Sequence, residues 1–185
     1  MPIVHKLTRE KFLSEIVRIQ LGTGIKVAEI GVLKGKFAKE MISSLAPSEY
    51  IGIDPYKQYF DKPAVEYFRP NAIEKIYNKT NKLIEGLGHK LYRMSSKNAA
   101  PLFYQNYFDL VYIDGDHRYE EVKQDIELWY DKIKYGGILA GHDYVKRPKS
   151  WQYGVIKAVD EFVQKKELEL NINNEEWTTW WVYKK

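Results

Sequence analysis

The sequence predicts an α/β fold: a doubly wound, mostly parallel sheet that finishes in a C-terminal antiparallel hairpin. Leu110 to Ile113 is a continuous apolar run, as expected of a strand buried on both faces of a parallel sheet. Ile138 to Ala140 is a second run of the same kind, and between the two Val122, Ile126, Trp129 and Ile133 recur at helical spacing. Both runs end abruptly in acidic and imidazole groups: Asp114, Asp116 and His117 after the first, His142 and Asp143 after the second. Ligands of open α/β sheets bind at that carboxyl edge, so the two turns are the first place to look for chemistry.

The bulk properties narrow the classes. A chain of 185 residues suits one core, and a single domain over 1–185 is expected. The net charge of +4 permits acidic partners without arguing for them. The lysines are scattered and form no basic stripe, so nucleic acid is not an expected partner. The absence of cysteine excludes disulfides, thiolate catalysis and zinc–cysteine sites. Met1 to Leu7 has no apolar h-region, and no run reaches transmembrane length. A soluble, cytoplasmic protein without a membrane partner is expected, acting on a small-molecule substrate, with a homo-oligomer left open.

In chain order, Thr8 caps a first helix whose buried face is marked by Phe12, Ile16 and Ile19, and Leu21 to Gly24 ends it. Val27 to Ile30 is a short strand that runs into Gly31 and Gly35, followed by a helix with Phe37, Met41, Ile42 and Leu45 on one side. Gly31 lets backbone approach a ligand closely. The helix N-terminus behind it suits a carboxylate or phosphate. Glu29 would repel a phosphate and attract an ammonium or sulfonium; a tight strand-to-helix turn with a solvated acid is the plainer alternative. The spacing is not G-x-G-x-x-G, the dinucleotide fingerprint.

Tyr50 to Asp54 reads as a second strand, closed by Pro55. Asp54 stands where an acid typically receives a ribose hydroxyl pair. Glycine turn and spaced acid together point to a nucleoside-containing ligand. Residues 56 to 70 carry Tyr56, Tyr59, Phe60, Tyr67 and Phe68, and read equally as a lid or as an insertion packed on itself. Ala72 to Leu87 is a helix, Leu91 to Met94 a third strand, and Ser95 caps the next helix or touches the ligand base. Asp116 reads evenly as a helix cap or a functional acid ahead of a helix starting near Tyr119. Val145 to Tyr153 is an irregular stretch with three cations, read equally as a substrate contact or a solvated connection. A last helix carries Val155, Val159 and Phe162. Leu168 to Ile172 and Trp177 to Tyr183 form the closing hairpin.

Asp109 to Asp125 together with Lys134 to Tyr144 resembles the class I S-adenosylmethionine-dependent methyltransferases. The likeness is closest to a small methyltransferase-domain family related to catechol and macrolide-sugar O-methyltransferases. It runs from about Lys26 to Phe162, and the Asp-Gly-Asp-His and Gly-His-Asp-Tyr pair carries it. The resemblance implies a Rossmann-like sheet of seven strands and S-adenosylmethionine as cofactor. Glu29, Gly31 and Gly35 are then expected around its methionine part, Asp54 at its ribose, with Ser95 and Asp114 as further contacts. It also implies a divalent cation, Mg²⁺ or Mn²⁺, at Asp114, His142 and Asp143. His142 departs from an all-oxygen ligand set, and imidazole suits Mn²⁺, Fe²⁺ or Zn²⁺ better than Mg²⁺.

The chemistry fits these residues. A sulfonium methyl is already activated, so the protein must align the acceptor and take its proton. Asp114, His142 and Asp143 could hold a metal for that purpose, or His117 or His142 could act as base. O-methylation of a small hydroxylated acceptor, a sugar or a phenol, is therefore expected. A non-catalytic cofactor-binding module and a metal-dependent hydrolase are the alternatives. A nicotinamide-dependent dehydrogenase would share the sheet and Asp54, but the absent G-x-G-x-x-G and the acid at Glu29 argue against it.

Overall fold

The computed structural model describes residues 8–57, 70–145, 153–173 and 178–185. The elements follow in the order α1 (Arg9–Leu21), β1 (Lys26–Ile30), α2 (Lys36–Leu45), β2 (Glu49–Ile53), α3 (Pro70–Gly86), β3 (Lys90–Tyr92) and α4 (Ser96–Ala99). A 3₁₀ turn at Ala100–Leu102 leads to β4 (Phe108–Ile113), α5 (Tyr119–Tyr130), β5 (Ile133–Gly141), α6 (Tyr153–Lys166), β6 (Asn171–Ile172) and β7 (Trp180–Tyr183). The sheet has seven strands in the order β3-β2-β1-β4-β5-β7-β6. Strands β1 to β5 are parallel, and β7 runs antiparallel between β5 and β6. The expected mostly parallel sheet with an antiparallel closing hairpin is therefore what the chain forms.

Strand alternation explains why the runs are continuously apolar. Ala28, Val111 and Leu139 face one core with Ile126, Trp129 and Val159 of α5 and α6. Val27, Leu110 and Ile138 face the other with Leu13, Val17, Met41 and Leu45 of α1 and α2. Neighbouring residues on one strand point to opposite faces, and both faces are covered by helices.

Several local expectations are corrected. The buried face of α1 carries Glu10, Leu13, Ser14 and Val17, while Ile19 is exposed. Phe12 and Ile16 pack partly buried against the same core, so of the expected stripe only Ile19 is misplaced, and Glu10 and Ser14 take buried positions beside Leu13 and Val17. Ile133 opens β5 instead of closing α5, because Asp131 and Lys132 form a turn at the helix end. The helix after Ser95 is a single turn: Pro101, lacking an N–H, follows in the 3₁₀ segment. The strand of the hairpin before the turn is only Asn171–Ile172; Leu168 is buried in the core ahead of it. Of the aromatic stretch read equally as a lid or a self-packed insertion, Tyr56 is buried, and Tyr59, Phe60, Tyr67 and Phe68 lie outside the described residues. So does most of the cationic stretch, at residues 146–152, and Trp177.

The sheet reverses its order between β1 and β4, and two strand ends meet there. The Asp114 N–H donates to the Ile30 carbonyl at 2.8 Å, and the Gly31 N–H to that of Ile53 at 2.9 Å. Gly31 has φ +89°, and a Cβ there would lie 2.3 Å from the Asp114 carbonyl oxygen. The glycine is thus required by another strand's backbone. Gly31→Ala is expected to cost about 3 kcal/mol or more in urea unfolding, through clash and strain together. Gly24→Ala, at φ +72° in open space, serves as the control and should cost about 1–2 kcal/mol. Equal losses in the two variants would show that the Asp114 contact is not what Gly31 serves.

Candidate active site at the carboxyl edge of the sheet

The turn leaving β1 is held from several sides. Leu33 has φ +47°, a conformation that a side chain tolerates only under constraint. Asp54 supplies part of it: Oδ2 accepts from the N–H groups of Val32 at 3.0 Å and Leu33 at 2.9 Å, and Oδ1 from Tyr56 at 2.7 Å. Burial raises the Asp54 carboxyl above its ordinary value, and these three N–H donors only partly offset that. The Leu33 carbonyl accepts from the Tyr56 hydroxyl at 2.9 Å and the Thr80 hydroxyl at 3.0 Å. Tyr56 was noted only as part of an aromatic stretch and Thr80 not at all, because each acts on a residue far away in the chain.

Glu29 is 1% exposed and accepts a hydrogen bond from the Tyr50 hydroxyl. Burial pushes its carboxyl well above the ordinary range, against the lowering effect of Tyr50. Glu29 therefore sits inside the sheet beneath the turn, in a setting that favours the neutral acid. Ser95 caps α4, its hydroxyl accepting from the Asn98 N–H at 3.3 Å.

The exits of β4 and β5 bring Asp114, His117, His142 and Asp143 together. His117 Nε2 lies 3.4 Å from Asp114 Oδ1 and 3.3 Å from Asp143 Oδ2. His142 Nδ1 lies 3.1 Å from Asp143 Oδ1 and 3.8 Å from Asp114 Oδ1. One ligand atom from each of Asp114, His117 and Asp143 falls within 4.8 Å of the others, close enough to share a cation. His142 borders that group through the same two acids. Burial raises the Asp143 carboxyl, but the His142 hydrogen bond and the positive sides of His142, His117 and Arg9 outweigh it and hold it low. Asp143 also has φ +58°, which aims its side chain back at the histidines.

Asp116 has a separate task. Its carboxylate accepts from the Arg118 N–H at 3.1 Å and from the Arg118 guanidinium at 2.9 Å, so it shapes the turn into α5. Gly154 at the start of α6 presses on that turn: a Cβ there would lie 2.4 Å from the His117 carbonyl.

Two further residues reach this edge from α1. Arg9 Nη1 lies 3.3 Å from Asp114 Oδ2, and Arg9 Nε donates to Glu10 Oε1 at 3.0 Å. Lys36, in the first turn of α2, lies 3.2 Å from the same Glu10 oxygen. Sequence reasoning missed both Arg9 and Glu10; an acid within the helix's apolar spacing was the available signal. A shallow cavity of about 310 Å³ lies on the opposite, amino edge, lined by Lys26, Glu49, His89 and Tyr107. Its polar groups are engaged with one another: the Tyr107 hydroxyl donates to Glu49 at 2.5 Å, and Lys26 lies 3.9 Å over the Tyr107 ring. The carboxyl edge is the better candidate.

The seven-stranded sheet has the Rossmann-like arrangement of methyltransferase folds. The chain belongs to the methyltransferase-domain family, whose model matches residues 28–144. It is 26% identical over 136 residues to the uncharacterized protein R132 of Acanthamoeba polyphaga mimivirus, covering 73% of this chain and 58% of that protein's length. Among solved structures, cofactor-bound Rv0187 from MTB superposes with a TM-score of 0.71 at 14% identity, over 99% of this chain and 83% of that one. An O-methyltransferase from Bacillus cereus in complex with SAH gives 0.69 at 14% identity, over 98% and 84%. The O-methyltransferase TomG from Streptomyces achromogenes, in complex with SAM, gives 0.68 at 11% identity, over 100% and 84%. At these identities the structural likeness is one of fold. Among the described residues no helix is long and apolar enough to cross a membrane.

The α1 charges make a pH prediction. Burial raises the Glu10 carboxyl, but hydrogen bonds from Arg9 and Lys36 outweigh it and bring it down to about 2. A carboxyl depressed in the folded state stabilises fully above its unfolded value and loses that contribution as pH falls through the folded one. Glu10→Gln should therefore lower stability by on the order of 2 kcal/mol at pH 7, with Lys36 largely exposed and screened. The gap to wild type should close between about pH 5 and pH 2, read by urea unfolding across that range. A gap that does not depend on pH would sink the assignment.

Proposed function

We propose that this protein transfers a methyl group from S-adenosylmethionine to a hydroxyl oxygen of a small acceptor, a sugar or a phenol. The observation that carries the reading is the meeting of the glycine turn with the Asp114–His117–Asp143 group on one edge of the sheet. Membership of the methyltransferase-domain family supports methyl transfer, and SAM- and SAH-bound proteins of the same fold support the cofactor.

When bound, S-adenosylmethionine supplies a methyl group already activated on a sulfonium. The N–H groups of the first turn of α2 suit its carboxylate. Asp54 suits a ribose hydroxyl: three N–H groups occupy it, and a carboxylate offers roughly four acceptor positions. Glu29 and Tyr50 support the turn from within the sheet, and Asp114 is an acid at the edge itself.

Two carboxylates and an imidazole fit a divalent cation of the Mn²⁺, Fe²⁺ or Zn²⁺ type, with Asp114, His117 and Asp143 as holders and His142 beside them. A cation held there would make an acceptor hydroxyl more acidic. With no cation held there, His117, between the two acids, would be the group that takes the acceptor's proton. Asp143, held by His142, fixes that imidazole in place. The task left to the chain is alignment of the acceptor oxygen with the methyl group.

Calorimetric titration with S-adenosylhomocysteine tests the cofactor, and micromolar binding is expected. Asp143→Ala should keep that affinity within about threefold yet lose about 100-fold or more in turnover on a panel of phenols and sugars. Absence of binding by the wild type removes the methyltransferase reading, and unchanged turnover in the variant removes the assigned role of Asp143.

A further inference from the structure

Asp114 already has a cation beside it. Arg9 comes from α1, at the far end of the sequence from β4, and its Nη1 lies 3.3 Å from Asp114 Oδ2. Its Nε is held at the same time by Glu10 Oε1 at 3.0 Å. Glu10 is 1% exposed and is braced on its other side by Lys36. The guanidinium is therefore anchored to a buried acid and presented to Asp114. Its charge is permanent, because arginine does not lose its proton in proteins.

The two oxygens of Asp114 face different partners, with His142 Nδ1 a more distant neighbour of Oδ1 at 3.8 Å. Oδ2 faces Arg9 and Oδ1 faces the His117 imidazole at 3.4 Å. A divalent ion shared by Asp114, His117 and Asp143 would lie close to a fixed positive charge and would compete with it for one carboxylate. Arg9 could not withdraw without leaving Glu10 buried with only Lys36, which is itself largely exposed.

We infer that Arg9 is the resident cation of this edge: it neutralises Asp114 and weakens divalent-metal binding at the cluster. This rests on the reading of Asp114, His117 and Asp143 as the metal-capable group and deepens the proposed reaction; it does not depend on which acceptor is used.

The test is Mn²⁺ titration of the full chain, read by electron paramagnetic resonance of the free ion. Wild type and Arg9→Lys, which keep a cation, are expected to bind weakly. Arg9→Gln, which keeps a donor for Glu10 but no charge, is expected to bind at least about tenfold more tightly, within the range usual for coupling between charged ligands. Adding His117→Ala to Arg9→Gln should abolish the gain, which ties the ion to this cluster. If Arg9→Gln alone unfolds because Glu10 is left charged, the Arg9→Gln/Glu10→Gln double variant removes both charges and should show the same gain. No gain in either neutral variant, or an equal gain in Arg9→Lys, overturns the inference. S-adenosylhomocysteine binding is measured on the same samples. Intact binding without a Mn²⁺ gain defeats the role of Arg9 alone, whereas loss in the wild type defeats the methyltransferase reading.

Discussion

The close approach of the β1 exit to the β4 exit is the constraint on which the rest of this edge depends. The Ile30 carbonyl accepts from the Asp114 N–H, and the missing side chain at Gly31 leaves room for the Asp114 carbonyl. That contact places the glycine turn and the acid–imidazole cluster side by side at the point where strand order reverses. Phe37 in the first turn of α2 stacks on Tyr112 of β4 with ring centroids 3.8 Å apart, which ties the helix N-terminus to the same strand end. A side chain at position 31 would push the two strand ends apart and carry Asp114 away from α2.

The edge gathers many acids, and the fold treats each differently. Glu29 is buried under Tyr50 and pushed toward its neutral form. Asp54 is taken up by three backbone N–H groups. Glu10 is held charged by Arg9 and Lys36. Asp125, one helical turn before Trp129, is pushed up to about 7, chiefly by burial, with the Ser96 hydroxyl as its partner. The Trp129 ring N–H donates to that same hydroxyl at 2.7 Å, which links α5 to the turn after β3. Asp114 and Asp143 alone among these acids are joined to two histidines and to one another's surroundings. Chemistry at the edge concentrates on them because the other carboxylates already have structural partners.

Arrangement of charge also links α1 to the site. Helical spacing in the sequence predicts a capped helix with Phe12, Ile16 and Ile19 on its buried face. Thr8 does cap it, accepting from the Lys11 N–H at 3.4 Å. The face it buries, however, runs through Glu10 and Ser14, because the helix packs a charged residue against Lys36 and delivers Arg9 to Asp114. Helical spacing alone favours apolar positions and passes over an acid whose burial depends on a partner elsewhere.

What the sequence by itself determined was local. The continuous runs Leu110–Ile113 and Ile138–Ala140, the polar residues at their ends and the glycines at 31 and 35 were enough for the alternation of strands and helices. They also placed Asp114, His117, His142 and Asp143 on one edge, because strand ends in a parallel sheet share a direction. Tertiary structure alone decided what depends on residues distant in the chain. It decided that Gly31 yields to Asp114, that Asp54 and Tyr56 brace Leu33, and that Arg9 faces Asp114. It also decided that His117 stands between the two carboxylates, since the direction of a side chain after a turn follows backbone angles such as the positive φ of Asp143. Periodicity reports which face a residue takes; only packing reports which partner it meets there.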